Sequence, residues 1–271
     1  MSVTGTADDL RSPVIALVVA YDGVLFSGFA AQPGLATVQG SLESALAIAL
    51  GRSVKTVVAG RTDAGVHALG QVVSFAATGA EPPPEVLKRS LNALVGNGIV
   101  VRDVRMARPG FSARFDATGR EYRYRICPQR VPPLFTAHVA WWLHKDLDIG
   151  AMRRASDLLL GEQDFRSFCL AASAEGKHTF RCVHTIELTE EEHLGEHCIM
   201  IRVVGNAFLH SMVRVIAGTL VDVGAGRRDV EWVSDVLEAK DRAAAGPTAP
   251  AHGLTLWAVS YPPDVWTVDG R

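Results

Sequence analysis

The order of short strand-like and helix-like segments is the feature of this 271-residue chain that most restricts its fold. Apolar runs typical of buried strands alternate with stretches whose apolar residues recur at helical spacing. In the first half the order is strand, helix, strand, strand, helix, strand, predicted at 14–20, 38–50, 54–59, 71–75, 82–94 and 99–104. The second half is similar in kind, with strands predicted at 122–126, 180–189, 197–204 and 254–261 and helices at 149–159, 208–223 and 229–239.

Two halves of this kind predict an α+β fold, with two similar α/β halves whose mostly antiparallel sheets join across a central basic cleft. Pro109-Gly110 is the best linker signal, since both residues favour turns and loops. We therefore expect an N-terminal α/β domain over 13–110 and a C-terminal α/β domain over 111–263. The small, polar and mildly acidic segment 1–12 is expected to be a disordered tail, and 264–271 a second tail.

Composition excludes several classes of protein. Hydrophobic residues make up 48% of the chain and charged residues 21%, and no run of about 18 apolar residues is present. These values indicate a globular protein without a membrane span. The N-terminus lacks a basic segment followed by an apolar core, so export is not expected.

The cysteine pattern fits a cytoplasmic protein with reduced thiols, because four cysteines are scattered without the spacing of a disulfide framework: Cys127, Cys169, Cys182 and Cys198. His178, Cys182 and His184 superficially resemble metal ligands. However, Cys182 and His184 lie in a predicted alternating strand, which favours a packed thiol and imidazole over a zinc site. No metal is expected.

The net charge of -2 hides a strong segregation of charge along the chain. Residues 88–130 hold three anions and ten cations, a local balance of +7, and the cations are Lys88, Arg89, Arg102, Arg105, Arg108, Arg114, Arg120, Arg123, Arg125 and Arg130. Acidic residues collect instead at 190–196. Arginine is suited to bidentate phosphate contacts and to stacking on bases, so this stretch is either a nucleic-acid surface or simply a solvated basic face.

A glycine-bracketed turn, Gly60 to His67, places the carboxylate of Asp63 between two predicted strands. Glycines at both ends permit unusual backbone angles and the close approach of a large ligand. Arg61 lies two residues away and would favour the ionised form of Asp63 by charge pairing. This pattern indicates a presented nucleophile, or alternatively a structural turn held by a surface ion pair.

Two further segments carry residues that could act beside such a carboxylate. Tyr122 lies on a strand whose neighbours are arginines, and its ring would either stack on a base or belong to the core. On the predicted helix from Phe208, the spacing places His210, Arg214 and Gly218 on one stripe. Because the rest of that helix is apolar, Arg214 needs a partner or a wet cavity, unless it faces solvent.

A nucleophilic carboxylate, a stacking aromatic and a positive surface together indicate chemistry on a flipped-out nucleotide. The carboxylate could attack the sugar C1′, as in retaining glycosidases, or add to a ring carbon of a pyrimidine. Two other classes remain open, a non-catalytic RNA-binding module and a hydrolase of small glycosides. The second would need another acid near Asp63, and the turn offers none. No motif for a nucleotide cofactor, phosphate transfer or metal hydrolysis is present.

Many short motifs in sequence order resemble those of the bacterial TruA-type tRNA pseudouridine synthases, over about Tyr21 to Tyr261. In the first half they are Tyr21-Asp22-Gly23, Phe26-Ser27-Gly28, Thr37-Val38-Gln39-Gly40, the Gly60 to His67 turn, Leu91-Asn92-Ala93-Leu94, Phe111-Ser112-Ala113-Arg114 and Arg120-Glu121-Tyr122-Arg123-Tyr124. In the second half they are Asp164 to Phe168, Gly205 to Leu209, Met212-Val213-Arg214 with Gly218, and Ala249 to Leu254.

The resemblance implies a cofactor-free isomerase that converts uridine to pseudouridine at positions 38, 39 and 40 of the tRNA anticodon arm. It implies Asp63 as the nucleophile, Tyr122 stacked on the target base and Arg214 paired with Asp63. Arg61 would help to displace the nucleotide, and the other expected substrate-binding residues are His67, Arg114, Arg120, Arg123 and His210. It also implies a homodimer that holds tRNA across both subunits.

The chain departs from the family pattern in two places. Gly28 is followed by Phe29-Ala30, where the family usually has Trp-Gln, and Leu94 is followed by Val95, where the family usually has Pro. Neither departure touches the segments of Asp63, Tyr122 or Arg214. They therefore bear on the details of substrate contact.

Overall fold

A computed structural model describes residues 13–170, 175–176 and 178–267, and it divides the chain into two compact units. The first unit runs to Thr118 and resumes at Leu256, and the second runs from Gly119 to Thr255. The expected boundary at Pro109-Gly110 differs from this division because the loop after it packs on the first unit: the N–H of Arg108 donates to the carbonyl of Val265, and Phe111 is buried.

Two residues of the segment expected to be a C-terminal tail, Val265 and Trp266, pack against the core of the first unit. Val265 is fully buried, and the ring of Trp266 lies 5.4 Å from that of Phe111. Burial of these apolar side chains explains why the segment belongs to the first unit. The predicted tail at 1–12 and residues 268–271 lie outside the described residues.

In the first unit, antiparallel strands pack with two helices, and β1 lies between β4 and β3. The strands and helices are β1 (Val14–Tyr21), α1 (Val38–Leu50), β2 (Val57–Val58), β3 (His67–Ala76), α2 (Pro84–Leu94) and β4 (Ile99–Ala107). Thr37 caps α1, since its hydroxyl accepts a hydrogen bond from the N–H of Gly40 at 3.3 Å. The second predicted strand is shorter than expected, with two residues instead of six.

In the second unit the strand order is β5-β9-β8-β7, with antiparallel neighbours, and β6 pairs with β5 in parallel. Its elements are β5 (Gly119–Pro128), β6 (Trp141–Leu143), α3 (Ile149–Asp157), β7 (Gly161–Asp164), β8 (Phe180–His193), β9 (Glu196–Gly205), α4 (Met212–Gly224) and α5 (Trp232–Ala239). Strand β10 (Leu254–Ser260) follows, and most of it belongs to the first unit. Together these elements confirm the predicted α+β class.

Strands β8 and β9 extend beyond their predicted ranges, 180–189 and 197–204. Both strands continue through the acidic residues, and the turn consists of Leu194 and Gly195 with φ angles of 53° and 79°. The acids have partners in the fold: Glu191 pairs with Arg125 at 2.7 Å, and Glu196 accepts from the hydroxyl of Thr136 at 2.6 Å. Hydrogen bonds, that from Thr136 foremost, lower the pKa of Glu196 to about 2.

The helix that carries Arg214 begins later than predicted, at Met212 instead of Phe208. Ser211 precedes it with φ 58°, a left-handed conformation that cannot continue a helix toward the N-terminus. His210 is therefore exposed in the turn before α4, and the predicted stripe of His210 with Arg214 and Gly218 is wrong for His210.

Gly218 allows the chain at 246–250 to approach α4 closely. A Cβ atom at Gly218 would lie 1.8 Å from the carbonyl oxygen of Pro247, well inside van der Waals contact. We expect Gly218→Ala to lower the free energy of unfolding by about 2 kcal/mol or more, because backbone must move. Gly150→Ala in α3 is the matched control, since its Cβ would meet only side-chain ends, the nearest at 3.2 Å. Urea unfolding measures both, and equal midpoints would contradict the close approach.

Candidate active site

Asp63 lies half-buried in a turn between β2 and β3, and Arg61 is exposed in the same turn. Two backbone hydrogen bonds close the turn: the N–H of Val66 donates to the carbonyl of Asp63 at 3.2 Å, and that of Gly65 donates to Gly23 at 3.2 Å. Gly65 has φ 81°, in the left-handed region that favours glycine. The carboxylate is thus presented by a turn with a defined backbone path.

A buried polar network holds the N-terminal side of this turn. The side-chain amide of Gln71 donates to the carbonyl of Gly60 at 2.8 Å and to the hydroxyl of Tyr21 at 3.2 Å. Because the carbonyl of Gly60 can only accept a hydrogen bond, the amide nitrogen of Gln71 must face it. This fixes the orientation of the Gln71 side chain. The Tyr21 hydroxyl also shares a hydrogen bond of 2.8 Å with the hydroxyl of Thr62, one residue before Asp63.

Burial of Tyr21 raises its pKa to about 12, although its hydrogen bonds with Thr62 and Gln71 act in the opposite direction. The hydroxyl therefore stays protonated over the whole physiological range and can serve as a donor. Thr62 and Gln71 are both buried, so the hydrogen bonds that they make with the Tyr21 hydroxyl are shielded from water.

The loop at 22–29 supports the turn from its other side. The N–H of Phe29 donates to the carbonyl of Thr62 at 3.1 Å, and a Cβ at Gly23 would lie 2.1 Å from the carbonyl oxygen of Val66. Phe29, one of the departures from the family pattern, is fully buried with its ring 6.1 Å from that of Tyr21. This departure therefore contributes to the packing around the network.

His67, an expected substrate-binding residue, is buried at the start of β3. Its Nδ1 accepts a hydrogen bond from the N–H of Gly23 at 3.2 Å and lies 3.3 Å from the Asp22 carboxylate. Acceptance from Gly23 requires an unprotonated Nδ1, whereas donation to Asp22 requires a protonated one, so the two contacts exclude each other. In either form His67 joins the loop at 22–29 to β3.

In the second unit, Tyr122 lies on β5 and is 8% exposed. Its ring makes an edge-to-face contact with Phe208, with the centroids 5.2 Å apart and the planes at 87°. Tyr124, two residues along the strand, is fully buried and its hydroxyl donates to the carbonyl of Pro250 at 2.9 Å. The tyrosine face of β5 is thus packed, and Phe208 sets the position of the Tyr122 ring.

Arg214 is half-buried near the start of α4, and the segment 246–250 orients it. Its Nε donates to the carbonyl of Ala249 at 2.8 Å, and the N–H of Ala249 donates back to the carbonyl of Arg214 at 3.1 Å. Sequence reasoning did not find this role of Ala249. The signals were present, because Gly218, which admits the segment, and Ala249 itself both lie in family-like motifs.

Carboxylates neutralise part of the basic stretch at 88–130. Five of its cations form ion pairs with neighbouring acids: Lys88 with Glu85, Arg105 with Asp103, Arg108 with Asp116, Arg123 with Glu121 and Arg125 with Glu191. Three of these acids are already subtracted in the balance of +7, and the other two, Glu85 and Glu191, lower it to +5. Arg120 donates to the carbonyl of Asn206 at 2.7 Å, and the guanidinium of Arg114 lies over the ring of Phe115.

The expected site residues fall into two groups. The first unit holds Asp63 with Arg61, His67 and Arg114. The second holds Tyr122, Arg214, Arg120, Arg123 and His210. Among the described residues no helix is long and apolar enough to span a membrane, and no three side chains of metal-binding type form a cluster.

Comparison with known proteins identifies the family. A family model described as tRNA pseudouridine synthase matches residues 17–116 and 155–262. The chain belongs to the tRNA pseudouridine synthase family. A tRNA pseudouridine synthase A from Bacillus subtilis is 44% identical over 90% of this chain and 97% of its own length. One from Neisseria gonorrhoeae is 46% identical over 91% of each chain. A solved Cbf5-Nop10-Gar1 complex aligns with 89% of the chain at 15% identity, with a TM-score of 0.34 too low to add to the assignment.

Membership of the tRNA pseudouridine synthase family confirms the resemblance and makes the chain an isomerase. It decides against the two other classes that the residues left open, the non-catalytic RNA-binding module and the glycoside hydrolase.

The polar network makes a measurable contribution to stability. Tyr21→Phe leaves buried partners without a hydrogen bond, so we expect the free energy of unfolding to fall by about 1–3 kcal/mol at pH 8. Thr62→Val should cost a similar amount, whereas Thr62→Ser keeps the hydroxyl and serves as the control. Chemical denaturation measures all three, and wild-type stability of Tyr21→Phe would contradict the network.

The same variant has a defined pH dependence. The folded pKa of Tyr21, about 12, lies above its ordinary value of 10.0, so above pH 10 the unfolded state ionises first. Wild-type stability therefore falls as the pH rises from 10 toward 12, while a phenylalanine at this position does not titrate. The stability difference between wild type and Tyr21→Phe should stay constant below pH 10 and shrink above it. A constant difference up to pH 11 would contradict the raised pKa.

Proposed function

We propose that this enzyme converts uridine to pseudouridine at positions 38, 39 and 40 in the anticodon arm of tRNA, with Asp63 as the nucleophile. The observation that supports Asp63 most strongly is its place in a turn fixed on both sides, by the Tyr21 network and by the loop at 22–29. A reacting group held in this way loses little conformational freedom when the substrate binds.

The chemistry is an internal rearrangement of one nucleoside. The bond from N1 of uracil to C1′ of ribose breaks, a bond from C5 to C1′ forms, and the hydrogen of C5 leaves as a proton while N1 gains one. Atoms and electrons balance without an oxidant or reductant, so we propose no redox cofactor. The ionised Asp63 carboxylate attacks either C1′ or a ring carbon of the base, and both routes begin with the nucleotide out of its stack.

The other residues have supporting roles in this proposal. Tyr122 stacks on the target base, with its ring angle set by Phe208. Arg214, oriented by the carbonyl of Ala249, provides the positive charge that pairs with the nucleophile. Arg61 is exposed and helps to displace the nucleotide.

The remaining substrate-binding residues in this proposal are Arg114, Arg120, Arg123, His67 and His210. Arg123 already pairs with Glu121 at 2.9 Å, so it has less free charge to offer a phosphate than an arginine without a carboxylate partner. We also propose that the enzyme acts as a homodimer in the cytoplasm, without a small-molecule cofactor.

Release of tritium from tRNA carrying 5-tritiated uridine measures the reaction, because only formation of the new bond at C5 expels that hydrogen. We expect Asp63→Asn to reduce the single-turnover rate by more than about a thousandfold, since a carboxamide is a poor nucleophile of nearly the same shape. Asp103→Asn is the matched control, because that carboxylate pairs with Arg105 on the surface of β4. Wild-type release by Asp63→Asn would disprove its role.

The positions within tRNA require a separate experiment. A transcript with uridine at only one of positions 38, 39 and 40 should release label in each case, and a transcript with cytidine at all three should release none. Uridines elsewhere in the same transcript provide the internal control. Release from the transcript without uridine at these positions would contradict the proposed specificity while leaving the isomerase activity intact.

A further inference from the structure

Phe115 is the most exposed large apolar side chain in the described part of the chain, with 81% of its surface accessible. It lies in the loop between β4 and β5, in the first unit. Apolar residues of this size are normally buried when packing alone decides their position. Its exposure therefore raises the question of what covers it when the enzyme works.

The residues on both sides of Phe115 are fixed, so the loop presents it in one position. Before it, the N–H of Ala113 donates to the hydroxyl of Ser74 at 3.0 Å, and the Ala113 carbonyl accepts from Tyr261 at 2.6 Å. After it, the Asp116 carboxylate accepts from Arg108 at 2.7 Å and from the N–H of Ser112 at 2.7 Å. Only Arg114 and Phe115 project from this frame as exposed side chains.

Arg114 and Phe115 form one composite surface. The guanidinium carbon of Arg114 lies over the ring of Phe115, 5.4 Å from its centroid, in a cation–π contact. An aromatic plane beside a cation matches a nucleotide, since the base stacks on the ring and the phosphate attracts the cation. A base within a duplex is already stacked on both faces, so the surface favours an unpaired one.

We propose that Phe115 and Arg114 form a stacking site for an unpaired base of the tRNA substrate, distinct from the target uridine of Asp63. This inference rests on the proposed function for the identity of the RNA. The fixed loop lowers the entropic cost of binding, because its backbone needs no reordering when the base arrives. Phe115 acts in binding and takes no part in the reaction.

Equilibrium binding of tRNA to Phe115 variants tests the site, with Asp63→Asn in every protein so that no substrate is turned over. We expect Phe115→Leu to raise the Kd about tenfold, because leucine keeps apolar bulk but lacks a stacking face, and Phe115→Trp to keep or lower the Kd. Leu134→Ala removes another exposed apolar side chain, 75% accessible and in the second unit, and should leave the Kd unchanged.

Two further readouts separate stacking from charge. The slope of log Kd against log salt should be the same for Phe115→Leu as for its parent and lower by about one for Arg114→Gln, which loses a phosphate contact. In addition, the Trp of Phe115→Trp should change its fluorescence on binding tRNA, measured against the parent with its native tryptophans. Because the side chains of Phe115, Arg114 and Leu134 are exposed, the thermal unfolding of all variants should match that of the parent.

Each outcome decides the proposal. A wild-type Kd for Phe115→Leu, with no change in tryptophan fluorescence, would overturn it. So would a shift in sedimentation of Phe115→Leu with unchanged tRNA affinity, since Phe115 would then contact a second copy of the chain. Failure of wild type to release tritium would overturn the proposed function alone, because the binding measurements do not depend on turnover.

Discussion

The Asp63 turn depends on the hydrogen bonds that the side-chain amide of Gln71 donates. Its two N–H groups reach the carbonyl of Gly60 and the hydroxyl of Tyr21, and through Tyr21 they reach Thr62. Gln71 is fully buried on β3, so the sheet that buries it also determines where the turn begins. Buried hydrogen bonds of this kind cost more to break than surface ones. The position of Asp63, the proposed nucleophile, is in this way determined by the core.

The position of Arg214 is also determined by the core, through a close approach between two backbone segments. Gly218 lets the segment 246–250 lie against α4, and the Tyr124 hydroxyl holds the carbonyl of Pro250 in that segment. The neighbouring carbonyl, of Ala249, then receives the Arg214 side chain. In each unit, a charged side chain of the proposed mechanism is thus positioned by backbone groups that the core has already fixed.

Much of the fold follows from sequence patterns that act locally. Strand β1 and helices α1 and α2 agree with the predicted ranges because their apolar patterns are strong, and Thr37 caps α1. The short strands β6 and β7 have no such periodicity and were not predicted. The start of α4 depends on one left-handed residue, Ser211, which propensity does not identify.

Other features could not be predicted because they depend on residues far apart in the chain. Arg125 and Glu191 form an ion pair although they are 66 residues apart, so a count of local charge treats both as unpaired surface charges. The packing of Trp266 against Phe111, 155 positions earlier in the chain, likewise could not be predicted from local sequence. For the site, the sequence predicted Asp63, Tyr122 and Arg214 as candidates, but the network of Tyr21, Thr62 and Gln71 required the three-dimensional register of β1 and β3.

We expect the turn of Asp63 to be as rigid as the sheet behind it. Native-state hydrogen exchange tests this directly, at the N–H groups of Phe29, Gly65 and Val66, which make the hydrogen bonds of the turn and its neighbouring loop. These amides should exchange with the same opening free energy as the amides of β1 and β3. Exchange through a local opening of much lower free energy would show a flexible turn, and the core would then not determine the position of Asp63.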